Sequence, residues 1–148
     1  LAALLARTEE GWDASDIDLE EVEDLPGIAD LMREAAVDDE PVLLFLEQEE
    51  SWFAVIRVES EDDPRVFVSD AAAASRSAYG DVLLTDEVIE LPDEEGPLPA
   101  GPVGDDEILA DLGVDAADLT ALAGEVPADA LGTLAENLGV GDELEAVR

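Results

Sequence analysis

Among 148 residues stand forty-one carboxylates, six arginines and no histidine, cysteine or lysine, for a formal net charge of −35. Without imidazole or thiolate there is no Ser-His-Asp or Cys-His nucleophile system, no ordinary zinc site and no neutral-pH imidazole base, and without lysine no Schiff base or P-loop. Carboxylate chemistry, oxygen ligation of hard cations, and binding are what the composition leaves open.

The length suits one ordinary domain, or a small core domain with an appendage. An apolar share of 47% belongs to a folding chain, but aromatics are only 4%, so the core is built mainly from Leu, Val and Ile. Self-repulsion at this charge opposes compaction, and salt or a cationic partner relieves it. Nucleic acid and anionic membranes are disfavoured ligands, because six scattered arginines make no positive face. No apolar run approaches membrane-spanning length and no disulfide framework is available, which fits a cytoplasmic protein. The chain opens at Leu1 and not at a methionine, which implies processing or preceding residues.

Residues 1–8 read as a first strand, and the turn-like Glu9-Glu10-Gly11 leads into Trp12 and a second strand that fades into the acidic run near Glu20. Residues 25–37 change to helical spacing, with Pro26 in the first turn and Ile28, Leu31, Met32 and Ala35 on one face. The continuously apolar 42–46 is a central strand, and 52–58 alternates Trp52, Ala54, Ile56 and Val58 against Phe53, Val55 and Arg57. Their short separation makes them an antiparallel hairpin, which residues 65–68 extend as a meander. Ser69 or Asp70 then caps a short helix over 71–79, closed by Gly80. Residues 82–84 form a last short strand or extended segment.

From 87 to 104 prolines, glycines and acids alternate as a stiff, charged linker. Beyond it the pattern is helical. Asp105 caps a segment bearing Ile108, Leu109 and Leu112 that stops at Gly113. Asp115, with Asp118 three residues on, opens a second carrying Leu119 and Leu122. Pro127 starts a longer one with Leu131, Leu134, Ala135 and Leu138 on one face and Gly139 after it, and a final turn holds Leu144 and Val147. Leucine faces this short must pack as a small bundle or dock on the sheet.

Asp16, Asp18 and Glu20 alternate like the opening of a calcium loop, but Glu21 occupies the position where such a loop needs glycine, so a solvated acidic turn is expected. Adjacent acids in 61–63 and 93–95 do not converge on one ion. Trp52, beside Glu49 and Glu50 at a strand start, has two readings: a core ring, or an exposed aromatic ringed by acids that anchors a basic protein. Arg76 stands in a run of small residues with Ser75, Ser77 and Tyr79, where a flat-packed helix with a carboxylate-paired arginine competes with a partner contact.

Four stretches, in order, carry a family resemblance: Ala2-Ala3-Leu4-Leu5-Ala6-Arg7-Thr8-Glu9-Glu10-Gly11-Trp12; Glu47-Gln48-Glu49-Glu50-Ser51-Trp52-Phe53; residues 68–74 through Ser77-Ala78-Tyr79-Gly80; and Leu109-Ala110-Asp111-Leu112-Gly113. Together they resemble the tRNA adenosine deaminase-associated proteins of high-GC Gram-positive (actinobacterial) bacteria, although the linker here is shorter than the family's acidic insert. The resemblance implies association with a deaminase and transfers no catalytic residues. Zinc deaminases need a His or Cys set plus a glutamate to activate water, and this chain has no such set.

The expectation is therefore an α+β fold: an antiparallel sheet meander with two packed helices over residues 1–86, an acidic Pro/Gly-rich linker over 87–104, and a small all-helical segment over 105–148. The expected role is that of a non-catalytic, cytoplasmic accessory protein without cofactor or metal. Its expected partner is a basic protein, through the resemblance a tRNA adenosine deaminase, and not nucleic acid or membrane. Candidate partner-binding residues are Glu49, Glu50, Trp52, Arg76 and Tyr79. The alternatives are an acidic nucleic-acid mimic that regulates another basic protein, and a carboxylate-based hydrolase. Since isolated carboxylates prefer hard, hydrated cations, calorimetric titration with zinc is expected to give only weak, salt-sensitive heats, and a single stoichiometric high-affinity event would contradict it.

Overall fold

A computed structural model describes residues 2–8, 11–16, 25–35, 42–48, 52–58, 65–70, 73, 103–104, 107–110 and 113–147. The chain folds as an α+β protein around an antiparallel sheet, as its patterning predicts. The strands are β1 (Ala2–Thr8), β2 (Gly11–Asp16), β3 (Val42–Gln48), β4 (Trp52–Val58), β5 (Arg65–Val68) and β6 (Val103–Gly104). The helices are α1 (Leu25–Ala35), α2 (Ala116–Leu122), α3 (Pro127–Leu138) and α4 (Gly141–Val147).

Strand order is β2-β1-β3-β4-β5-β6. The expected meander runs through β3, β4 and β5, and the first hairpin joins it by its opening strand. Leu4 faces Leu44 across β1 and β3, while Thr8 faces Gly11 within the hairpin. The chain thus returns across β1 between β2 and β3, and α1 lies in that connection, in contact with β3 and β4. The linker expected over 87–104 ends differently from its Pro/Gly-rich pattern. Val103 and Gly104 pair with Val68 and Phe67 as a sixth strand, because the edge of β5 offers free ladder groups that a short extended segment satisfies.

Period-two alternation divides the strands between two apolar layers. Ala3, Leu5, Leu43, Phe45, Phe53, Val55 and Phe67 join Ile108, Leu109, Val114, Leu119, Leu131, Leu134, Val140 and Leu144 in one buried cluster. Within it the rings of Phe53 and Phe67 lie 6.2 Å apart at 40°, a tilted geometry of the favourable kind. The opposite residues of the same strands, among them Leu44, Leu46, Trp52, Ile56 and Val66, are also buried. Ile28, Ala29 and Met32 of α1 are buried outside the first cluster. Ala29 takes the place expected for Leu31, which is half-buried.

Local signals act as their chemistry dictates. Ser69 receives the Phe53 amide on its hydroxyl at 2.8 Å and returns its own amide to the Phe53 carbonyl at 2.9 Å, so it prolongs the β4–β5 ladder. Asp70 takes the cap, accepting from the Ala73 amide at 3.2 Å. The rest of the helix expected over 71–79 lies outside the described residues, as do residues 82–84. Asp115 accepts from the Asp118 amide at 2.9 Å and opens α2. Pro127 sits in the first turn of α3, and Gly139 ends it at φ 83, a left-handed conformation that glycine adopts without penalty. The helix expected from Asp105 begins outside the described residues, and Glu107, Ile108 and Leu109 form a turn that leads into 3₁₀ structure at Ala110, the last residue described before Gly113.

We propose that the sheet and the C-terminal helices unfold as one unit, because among the described residues those helices cover one of the sheet's two apolar layers. Truncation after Asp86 is then expected to retain β circular dichroism, bind a hydrophobic dye and lose the cooperative thermal transition. A sharp, dye-silent transition in moderate salt would instead support the boundary expected from sequence at residue 86.

Candidate functional site

Among the described residues, two places concentrate charge in a defined geometry. The first is cationic and internal. Arg57 on β4 faces Arg65 on β5 in the sheet register. Arg57 is only 3% exposed and donates from Nη1 to the Ile108 carbonyl at 2.7 Å. Arg65 donates from Nη2 to the Glu107 carbonyl at 3.3 Å. Two of six arginines therefore hold one turn at the start of the helical segment. A guanidinium suits this task, since its planar fork of donors reaches backbone carbonyls while its stem packs among apolar side chains. Such charge-assisted bonds are worth roughly 1.5–3 kcal/mol each. Neither arginine is among the partner-binding candidates read from sequence; the available signal is Arg57 itself, a cation sharing a strand face with Phe53 and Val55.

The second place is anionic and external. Between α3 and α4 runs a groove of ≈ 500 Å³ whose walls carry Asp129, Glu136, Asp142 and Glu145. Asp129 lies in the first turn of α3, and Asp142 in the first turn of α4, positions where the helix dipole favours a negative charge. Gly132 and Gly141 leave the floor open, and Leu144 is its buried base. The sharp joint that sets the two helices side by side is Gly139, followed by Val140, whose amide bonds the Ala135 carbonyl at 2.7 Å. All four carboxylates are exposed. No lysine or arginine occurs between Ser77 and Val147 in the sequence, so the groove has no local counter-charge from α2, α3 or α4. Ionised carboxylates of this kind accept hydrogen bonds from guanidinium or ammonium groups. Acids at exposed positions lack the enclosed, desolvated setting that separates the roles of a catalytic carboxylate pair.

The residues singled out from sequence fare unequally. Glu49, Glu50, Arg76 and Tyr79 lie outside the described residues. Trp52 is 1% exposed, so of its two readings the folded chain presents the core ring. Its strand position explains this: Trp52 shares the layer of Ala54, Ile56 and Val58, all buried, and pairs with Gln48 inside the ladder and not beyond it. Among the described residues no three carboxylates converge on a common metal position, and no helix is long and apolar enough to cross a membrane. The groove escaped sequence reasoning because Asp129 and Glu136 become neighbours of Asp142 and Glu145 only when α4 folds back on α3.

Comparison with known proteins places this architecture. The family model described as Rv3753c-like tRNA adenosine deaminase-associated protein matches residues 1–141, and the chain belongs to that family. The match runs continuously from the first strand through α3 to the first residue of α4, so it takes in Asp129 and Glu136. No curated protein and no solved structure matches the chain.

A buried Trp52 makes a definite prediction. Trp52→Ala is expected to lower stability by about 3–5 kcal/mol, the cost of a large aromatic deletion in a core, as read by urea unfolding. A loss below about 1 kcal/mol would show that the ring contributes little to packing.

Proposed function

Starting from membership of this family, we propose that the chain is a non-catalytic, cytoplasmic accessory protein that presents an acidic helical surface to a basic tRNA-handling protein. The partner named by the family description is a tRNA adenosine deaminase. The observation that carries this reading is the groove between α3 and α4: four exposed carboxylates on two short helices, on a stretch of sequence without a single cation until Arg148. A protein that binds tRNA carries arginine and lysine on its phosphate-contacting face, and such a face complements this groove. Docking there steers encounter over the range of a Debye length and sets orientation more than raw affinity.

Catalysis does not fit the same residues. A zinc deaminase activates water with a His or Cys ligand set and a glutamate, and histidine and cysteine are absent from this sequence. An accessory role asks only for a folded scaffold and a complementary charge pattern, both of which the chain supplies. Occupation of a tRNA-binding face by an acidic protein makes tRNA a competitor, and this separates docking on that face from docking elsewhere on the partner.

Because any protein of net charge −35 adheres to a basic one, the test must hold charge constant. The triple change Glu136→Gln, Asp142→Asn and Glu145→Gln removes three charges from the groove, and Asp13→Asn, Asp16→Asn and Glu34→Gln removes three exposed charges from β2 and α1. Calorimetry against the purified deaminase is expected to show the groove variant weakened about tenfold or more, roughly 1.4 kcal/mol, and the control variant affected far less. Excess tRNA is expected to displace the chain. Equal weakening of both variants, or a complex indifferent to tRNA, would remove the groove from the interface.

A further inference from the structure

The two walls of the groove between α3 and α4 are set by one short joint. On α3 Asp129, Gly132, Thr133 and Glu136 recur at intervals of three and four, so they form one row along the helix. Gly141, Asp142 and Glu145 of α4 line the other wall. Two hydrogen bonds close the joint, from the Gly139 amide to the Glu136 carbonyl at 3.2 Å and from the Val140 amide to the Ala135 carbonyl at 2.7 Å. They bring Glu136 against Gly141. A Cβ on Gly141 would stand 3.3 Å from the Glu136 Cγ, but 3.8 Å and 3.9 Å from the Cα and amide nitrogen of the same residue. The first distance lies inside ordinary carbon contact, which begins near about 3.5 Å, and the other two do not. A methyl group at 141 therefore displaces the Glu136 side chain and leaves the two backbones where they are. Gly132 differs, since a Cβ there meets nothing within 4 Å.

We propose, on the reading of the groove as the docking surface for a basic partner, that Gly141 is its positioning residue: the missing side chain seats the stem of Glu136 against the start of α4. That seat fixes where the Glu136 carboxylate stands relative to Asp142 and Glu145. Gly141 lacks the positive φ that calls for glycine at Gly139, so the position uses the absent Cβ and not backbone freedom. Glu136 is exposed, and an exposed glutamate spreads over its rotamers. A partner that needs one of them has to hold it there at an entropic cost. Contact between the Glu136 methylenes and the bare backbone of Gly141 narrows the choice before a partner arrives. A groove prepared in this way selects for the spacing of the partner's cations as well as for their sign.

Two substitutions in the one groove test this without changing its charge. Gly141→Ala displaces Glu136, whereas Gly132→Ala displaces nothing. Neither glycine has a positive φ, so neither variant of the full chain is expected to lower the urea midpoint. In the unsubstituted chain a nuclear Overhauser effect is expected between the Glu136 γ-protons and the Gly141 α-protons, and Gly141→Ala is expected to alter the Glu136 side-chain couplings. In calorimetry against the purified deaminase, Gly141→Ala is expected to weaken binding about threefold, the scale of one exposed charge contact, with Gly132→Ala unchanged. In a Glu136→Gln background Gly141→Ala is expected to have no further effect, because it acts through that carboxylate. Equal affinities of the two glycine variants, a loss that persists beside Glu136→Gln, a lowered urea midpoint for Gly141→Ala, or the absence of the Overhauser effect would each overturn the role of Gly141. Any of these beside a weakened triple carboxamide variant removes Gly141 and leaves the groove in the interface. A triple variant that binds as tightly as its control places the interface elsewhere and removes both.

Discussion

Burial of one face of the sheet beneath the C-terminal helices is the contact on which the rest of the molecule depends. Phe45, Phe53, Val55 and Phe67 share one buried cluster with Leu109, Leu119, Leu131 and Leu134 of the C-terminal segment. The helices in turn are too short to persist without the sheet. Each half therefore supplies the other's missing layer, which is the general solution by which a sheet and a set of amphipathic helices reach a stable core. The position of this contact along the sheet is set by Arg57 and Arg65, whose guanidinium groups hold the first turn of the helical segment against β4 and β5.

Such an attachment has to survive an unusual electrostatic setting. A chain of net charge −35 repels itself, and cations are scarce enough that their placement matters individually. Arg33 makes an ordinary surface pair with Asp30 at 3.3 Å, of the kind that contributes little. Arg57, by contrast, is withdrawn from solvent. The acids are spent in the opposite way, on helix caps such as Asp115, on first turns, and on a groove that faces outward. Apolar contact holds the fold together, and no acidic side chain among the described residues is buried in its core.

Family membership and geometry bear on different questions. The family match extends over the sheet, α1, α2 and α3 and stops at the first residue of α4. Its description concerns association with a deaminase, and the residues add a folded scaffold and a groove of one sign.

A continuous apolar run located β3, period-two alternation located β4, the meander that extends them located β5, the spacing of leucines located α2 and α3, and Asp115, Pro127 and Gly139 marked helix ends that the structure keeps. These are properties of neighbouring residues, and local sterics and hydrogen bonding decide them wherever the segment lies. The absence of His, Cys and Lys likewise excluded whole chemistries without reference to shape. Three matters were decided only by the tertiary structure. The return of β1 to lie beside β3 depends on where α1 packs, the groove depends on α4 folding back across Gly139, and the burial of Trp52 depends on what covers the second layer of the sheet. In each case residues distant in sequence compete for the same apolar surface, and a pattern that says a side chain is apolar does not say which surface will bury it.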